Sequence, residues 1–538
     1  MAKNKYKRNH IADSSNMVPK RINKGYSETG ASRTRKSLKG FTASSGSPNE
    51  DINYNNMTLR KRSRVLAMSG GIPLSALKTN RTNVIGCGLI LKSQVDRDVL
   101  GLTLEEASIW QKQAEREFAL WAEKKENCDS ICMNDFYKIQ QLVFYSALLN
   151  GDSFAFIQRE ESTVNKMSPY SLRLNIIEAD RVATPDNASC GGSIVGATDG
   201  KAKNGNRIYD GVEVNKVGKV LAYHVRSNYL YEINAGPIVW TRVEAYGKET
   251  GLPNVIHVVA DVERAGQYRG VSLLAPVIEM VLQIRQYTNA ELTAALVESL
   301  FTAFVTTEAR TDEMPFNQIQ QEEEPLDLDD DEYEMGPGNI NVMKPGESIT
   351  FGDPKRPAGG FSAFVEAVAV QIGASLEIPK EMLLKQFNSS YSASRAALLE
   401  FWKLVKMRRE WFVSDFCRPI YEIFIYEAVA RGRLKAPGFF DDPIKRMAWL
   451  GAEFTGPAQG MLDPTKEITA EQMMCENGFS TRAESAIRLN GSEYNKNVDT
   501  LNDENTLLEE ARKFEAQTNE LVSEYRKQSV KMGGNNEP

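Results

Sequence analysis

Pro276–Val305, PVIEMVLQIRQYTNAELTAALVESLFTAFV, contains no glycine and, beyond its first residue, no proline. With Ser272 as a plausible cap and Pro276 in or near the first turn, where backbone N–H groups lack intrahelical partners, it predicts one helix through Phe304. Its length is about 45 Å at 1.5 Å per residue. The pattern then breaks abruptly: between Glu308 and Glu334 twelve Asp or Glu stand against the single Arg310, a net charge of −11. NINVMKPGESITF (Asn339–Phe351) reads as two short strands about a tight turn at Pro345-Gly346. A second helix pattern runs from Phe361 to about Ser375, limited by Pro379. After the polar KEMLLKQFNSSY a third long helix begins near Ser392 or Ser394. Two helices with a module inserted between them are the organising feature of the chain.

Upstream, Thr103-Leu-Glu-Glu106 is a capping box, followed at helical spacing by Trp110, Ala114, Phe118 and Trp121, which read as core. Residues 139–240 alternate short β-rich runs such as FAFIQRE, LRLNIIEAD and KVLAYHV with Gly and Asn turns. Downstream, one long helix, or two that break near Pro419, extends to Gly432, with a basic flank at Lys403, Lys406, Arg408 and Arg409. Asp463-Pro464 and Thr481–Glu484 start further helices. Leu507, Ala511, Phe514, Thr518, Leu521 and Tyr525 step by alternating fours and threes, the stripe of a helix that wants a partner.

At 538 residues the length suggests three to four domains, and 41% apolar residues suffice for a core. Residues 1–50 carry eleven Lys or Arg against Asp13, Glu28 and Glu50, a net of +8 in a Ser-, Asn- and Gly-rich stretch that buries little and reads as a mobile arm. That arm lacks the apolar h-region of a signal peptide, and no run of about 18 apolar residues is present for a membrane span. Six scattered cysteines favour reduced thiols. The lone C-x₃-C pair, Cys128 and Cys132, is poor evidence for zinc.

Arrangements that carry chemistry are scarce. No G-x₄-G-K-[ST] loop is present, and Gly71–Thr79 lacks the second glycine before Lys78. With only His10, His224 and His257, no H-E-x-x-H is possible, and His224 and His257 read as structural. Asp327, Asp329 and Asp331 begin like a calcium loop, but Glu332 takes the place of the turn glycine and Gly338 that of the bidentate glutamate. Ser389, Ser390, Ser392 and Ser394 have no nucleophile elbow around them and are better explained as helix caps. No enzyme, cofactor or metal is expected.

The order HVVADVERAGQYRGVSLLAPVI, NAELTAAL, KPGESITFGDPKRP, GASLEIPKEMLLKQFNSSYSASRAALLEFWK resembles the portal proteins of lambda-like tailed bacteriophages. VIGCGL (84–89), LLNGDSF (148–154), IIEADRVATP (176–185) and YDGVEVNKVGKVLAYHV (209–225) fit the same family in the same order. The resemblance implies an α+β portal fold: a disordered basic arm (1–52), a wing (53–270 and 394–460) and stem helices (271–304 and 358–377). It further implies a small β-containing clip with the acidic segment (305–357), a tunnel loop (378–393) and a helical crown and tail (461–538). It also implies a ring of twelve subunits at one capsid vertex, found in the virion and assembled in the host cytoplasm. Double-stranded DNA would pass without sequence readout. The implied protein partners are the terminase, head-tail adaptor proteins, the major capsid protein and scaffold, with no membrane. Lys380, Lys385, Gln386, Phe387, Asn388 and Ser389 would face DNA, while Glu322, Glu323, Glu324, Asp329, Asp330 and Asp331 would dock partners. Two other readings of the chain are a DNA-processing enzyme of a mobile element and a capsid-shell or scaffolding protein.

Overall fold

The structure, a computed structural model, describes residues 30–32, 35–43, 45–160, 168–185, 199–229, 232–233, 236–299, 303–307, 347–351, 360–387, 390–461 and 463–533. Helix α1 (Pro48–Met68) begins at a reciprocal cap. The Ser47 hydroxyl accepts from the Glu50 N–H at 3.3 Å, and the Glu50 carboxylate accepts from the Ser47 N–H at 2.9 Å. Residues 48–52 are therefore helical and not part of an arm; Ser47-Pro48-Asn49-Glu50 carries the start signal within a stretch whose bulk charge suggests disorder. The inward face of α1 is polar, with Asn49, Asn53, Asn56, Arg60 and Ser63 buried on successive turns. Helix α2 (Gly71–Val84) follows a turn in which Gly70 and Gly71 both have positive φ.

Strand β1 (Ile90–Ser93) and the short α3 (Arg97–Leu100) lead into α4 (Leu104–Ala122), which Thr103 and Glu106 cap reciprocally. After α5 (Lys125–Cys128) comes α6 (Phe136–Asn150), so the first part of the region read as β-rich from residue 139 is helical. Trp110, Ala114, Phe118 and Trp121 are buried, as their spacing implies. The Phe118 ring centroid lies 5.4 Å from that of Trp121, 5.5 Å from Phe136, 5.9 Å from Tyr421 and 5.2 Å from Phe424. Each such ring contributes about 1.5–3 kcal/mol on burial.

Strand β2 (Asp152–Arg159) pairs antiparallel with β3 (Leu172–Glu178). Strands β4 (Asp199–Lys201), β5 (Arg207–Tyr209), β6 (Val212–Val214), β7 (Val220–Arg226) and β8 (Trp240–Glu244) form an antiparallel meander in chain order, and β9 (Val255–Val259) returns to the free edge of β2. Because strand side chains alternate, β2 serves two cores. Ala155 joins the helical core, while Phe154 and Phe156 join Ile177, Val212, Tyr223 and Val225 in a second cluster.

Within the meander the buried Glu213 carboxylate accepts from Arg242 Nε at 2.7 Å and from Asn204 and Asn206 at 2.8 and 2.7 Å. Burial opposes its ionisation, but these donors outweigh that cost and bring its pKa to about 2 from an ordinary 4.5. The folded value is the lower one, so Glu213 stabilises the sheet fully above about pH 4.5 and progressively less as pH falls towards 2. Acid titration of stability is expected to be shallower over that window in Glu213→Gln than in the parent; equal slopes in the two proteins would refute the assignment.

Ahead of the next helix, Ser272 accepts from the Leu274 N–H at 3.3 Å, and Pro276 lies in a 3₁₀ turn, Ala275–Val277. Helix α7 (Ile278–Ser299) is shorter than the sequence pattern suggests. Ala303–Thr307 is not helix but strand β10, paired antiparallel with β11 (Glu347–Phe351). The run FTAFVTT is dense in β-branched and aromatic residues, and a partner strand outweighs the absence of a helix breaker. The described partner of residues 347–351 is thus β10; residues 339–343, read as the first arm of a hairpin, lie outside the described residues, as does the acidic segment.

Helix α8 (Gly360–Leu376) returns antiparallel to α7, with Tyr287 against Phe361 and Phe364. The one-turn α9 (Lys380–Leu384) follows, then α10 (Tyr391–Phe412), capped by Ser390, whose hydroxyl accepts from the Ala393 N–H. Where Pro419 removes an N–H the chain does not break; residues Val413–Cys417 widen into a π turn and α11 (Arg418–Ala430) continues. Gly432, at φ 70°, ends it. Arg408 and Arg409 are not a solvated flank: Arg408 is buried, and Arg409 donates to the carbonyls of Asn83, Val84 and Pro457.

Helix α12 (Pro443–Trp449) leads to β12 (Ala452–Thr455), which pairs with β1. Asp463 caps α13 (Pro464–Glu476), and Thr481 with Glu484 caps α14 (Arg482–Asn490). The last helix, α15 (Tyr494–Gly533), has Leu507, Phe514 and Leu521 exposed. Among the described residues no helix is long and apolar enough to cross a membrane.

Candidate functional site

The separate sequence motifs meet at one buried charge cluster. Arg269, fully buried, donates from Nε to Asp152 Oδ2 at 2.6 Å and from Nη2 to Asp152 Oδ1 at 3.2 Å. It also donates to the carbonyls of Ala179 and Val182, both at 2.9 Å, and pairs with Asp210 at 2.9 Å. From α1, Arg60 donates to the Asn150 carbonyl at 3.1 Å and faces Asp152, Asp180 and Asp210, each at 3.6 Å. Arg64 completes the set on Asp180 and Glu178. Burial alone would raise the Asp152 pKa, but Arg269 and Arg60 outweigh it and hold the carboxyl well below the usual range. His257 stacks on Phe154 at 4.2 Å and approaches Asp152 at 3.4 Å; burial pushes its pKa down. His224 Nε2 lies 3.1 Å from Glu213. Both described histidines thus lie beside a buried carboxylate.

This cluster fixes the root of α7. The Gly270 N–H donates to Asp152 at 3.2 Å, and the Gly270 carbonyl accepts from Asn56 Nδ2 at 2.9 Å. A Cβ on Gly270 would stand 1.9 Å from the carbonyl oxygen of Gly151, so the two glycines permit backbone-to-backbone contact.

At the far end of α8 the chain turns through α9 into the loop before α10. Glu377 and Lys385, the residues flanking this turn and one-turn helix, both have positive φ, 58° and 57°. A non-glycine residue in that region costs about 1–2 kcal/mol. Gly373 makes room for the turn, since a Cβ there would lie 2.5 Å from the Ile378 carbonyl oxygen.

Lys380 Nζ donates to Glu366 Oε1 at 2.5 Å, and Lys385 Nζ donates to Thr79 Oγ1 at 2.7 Å. Gln386 is exposed, and Phe387 is 61% exposed. Asn388, Ser389, Glu322, Glu323, Glu324, Asp329, Asp330 and Asp331 lie outside the described residues. The structure thus brings Lys380 and Lys385 to one loop but gives each a partner within the subunit.

The residues missing from the sequence reading are those of α2 that hold this loop and α10. Ser75 donates to the Leu383 carbonyl at 2.7 Å, Thr79 receives Lys385, and Asn80 accepts from Arg408. Their i, i+4, i+5 spacing on an otherwise mixed helix is the signal that could have marked a polar docking face. Among the described residues no group of three or more His, Cys, Asp or Glu is arranged to hold a metal ion.

Comparison with known proteins places the chain in a class: it is a phage portal protein. Residues 34–409 match the phage portal protein, lambda family, and the chain belongs to that family. It is 24% identical over 438 residues to portal protein B of Escherichia phage lambda, covering 77% of each chain. To the portal protein of Escherichia phage N15 it is 23% identical over 465 residues, covering 82% of this chain and 83% of that one. Among solved structures, a chain in the virion of a native gene transfer agent particle aligns over 80% of this chain and 92% of its own at 12% identity, with a TM-score of 0.41.

Proposed function

We propose that this chain assembles as a closed ring of twelve, forms the DNA channel at one capsid vertex, docks the terminase during packaging and joins head to tail afterwards. The observation that carries this reading is the family match across residues 34–409, which runs from ahead of α1 to near the end of α10 and takes in the α7–α8 pair and the loop between α9 and α10. Family membership favours it over a DNA-processing enzyme or a shell or scaffolding protein. A closed ring needs two different complementary surfaces on each subunit, and the antiparallel α7 and α8 pair offers outward faces at Leu282, Leu292 and Leu296 on one helix and Phe364 and Val370 on the other. Packaging energy comes from a separate motor ATPase, and the subunit itself hydrolyses nothing. In this scheme the host cytoplasm is the site of assembly and the virion the destination. The major capsid protein and scaffold surround the ring, and head-tail adaptors and terminase meet the acidic segment. The charge of that segment makes such docking weaken with salt.

The loop carrying Lys380, Lys385, Gln386, Phe387, Asn388 and Ser389 lines the narrowest part of the channel. Duplex DNA presents one negative charge per about 1.7 Å of axis, so a strongly basic lining would arrest it. A lysine already paired with Glu366 and another lent to Thr79 suit weak, sequence-independent contact.

Single-particle imaging of the purified protein tests the ring: a hollow assembly of about twelve, wide enough for a roughly 20 Å duplex, supports it, and a monomer or dimer under all assembly conditions refutes it. The double variant Lys380→Ala, Lys385→Ala is expected to assemble normally but retain packaged DNA about two- to fivefold less well, since exposed ionic contacts are worth under about 1 kcal/mol each. Failure to form rings would instead make both residues structural.

A further inference from the structure

Lys385 combines three unusual features. Its backbone is left-handed at φ 57°, where a glycine would be unstrained; it ends α9; and its ammonium reaches across to α2 and rests on a neutral hydroxyl, Thr79 Oγ1, at 2.7 Å. Among the described residues no carboxylate pairs with it; the residue is exposed, and only the partial burial of its ammonium pushes its pKa down. Thr79 is only 3% exposed, so the hydroxyl is a fixed acceptor. The same face of α2 holds the Leu383 carbonyl through Ser75 at 2.7 Å, one helical turn away. The segment entering the loop is therefore fastened twice to α2, once through its backbone and once through its only unpaired cation among the described residues 380–387.

We propose that Thr79 is a positioning residue for the DNA-facing loop: it docks the Lys385 ammonium against α2 and withholds that charge from the channel until a phosphate competes for it. The proposal rests on the channel role of the loop. A backbone phosphate carries a negative charge shared by its two free oxygens and a threonine hydroxyl is neutral, so a passing duplex can borrow the ammonium, and the hydroxyl takes it back when the phosphate moves on. The docking bond keeps each of these contacts brief. Removing the acceptor frees the ammonium in every copy and lengthens the hold on DNA.

The test uses assembled rings of the full chain and, separately, filled heads. Thr79→Val keeps the side-chain shape and deletes the acceptor; Thr79→Ser keeps the acceptor. Lys385 acylation by an N-hydroxysuccinimide acetate, read by mass spectrometry against the exposed Lys403, is expected to speed up roughly two- to tenfold in Thr79→Val, the range set by one hydrogen bond, and to stay near the parental rate in Thr79→Ser. An unchanged rate in Thr79→Val overturns the docking, whatever the loop does to DNA.

In filled heads Thr79→Val should retain DNA longer than the parent, and adding Lys385→Ala should erase that gain. A gain that persists without Lys385 overturns the proposal. If labelling rises while Lys380→Ala, Lys385→Ala leaves retention unchanged, the channel role fails and with it the withheld charge, although the docking bond itself stands.

Discussion

Arg269→Ala is expected to leave the subunit largely unfolded or insoluble. Arg269 delivers its guanidinium to both oxygens of Asp152, to Asp210 and to the carbonyls of Ala179 and Val182, with its side chain out of solvent. Alanine removes the bidentate partner of Asp152, leaving the more distant Arg60 as its one guanidinium among the described residues, and takes a donor from the carbonyls of Ala179 and Val182. Breaking a buried pair in this way costs about 3–5 kcal/mol, a large share of a typical stability of roughly 5–15 kcal/mol. Lysine should rescue little, because a point charge cannot reproduce the planar fork that serves two carboxylates and two carbonyls at once. Urea unfolding followed by circular dichroism checks this, and a midpoint for Arg269→Ala equal to the parent's would refute the cluster's role.

Gly270→Ala should be almost as damaging for a different reason. The new Cβ would sit 1.9 Å from the carbonyl oxygen and 2.4 Å from the carbonyl carbon of Gly151, and both obstacles are backbone. Relief requires moving either the start of β2 or the root of α7, at a cost of about 3 kcal/mol. The neighbouring Gly266→Ala is the control. It also adds a Cβ, at positive φ, 82°, but into open space, so it should cost only about 1 kcal/mol. Thermal melts of the two variants are expected to differ by several degrees, and hydrogen exchange should loosen at Leu273–Val281 in Gly270→Ala alone. Identical melts would mean that the glycine contact is not tight.

Local signals were legible in the sequence wherever the physics is local. The Thr103 and Thr481 capping boxes, the Asp463 cap and the aromatic spacing of α4 follow from interactions within a few residues, and each stands where it was read. Long-range pairing decides what the sequence pattern missed. Nothing within Leu300–Thr307 reveals that residues 347–351 will offer it a strand. The 4–3–4–3 stripe of Asn49, Asn53, Asn56, Arg60 and Ser63 is invisible to a search for apolar periodicity because it buries polar groups. LLNGDSF, IIEADR, YDG and RAGQYRG look weak one by one because they are fragments of a single object that exists only when folded. Of the stretch read as a polar loop, Lys380–Leu384 is the one-turn α9, and the fastening of Lys385 to Thr79 lies 306 positions away in the chain.

The β10–β11 ribbon carries an architectural consequence. Its last pair, Thr307 opposite Glu347, brings the two ends of a 39-residue segment to neighbouring positions. Cross-strand Cα atoms stand about 5 Å apart, and doubling a loop closed at such a point costs only about 0.6 kcal/mol more. Closure at this point therefore lets the length and charge of the segment change at small entropic cost to α7 and α8. A lineage can rewrite this stretch of sequence while inheriting the same subunit frame.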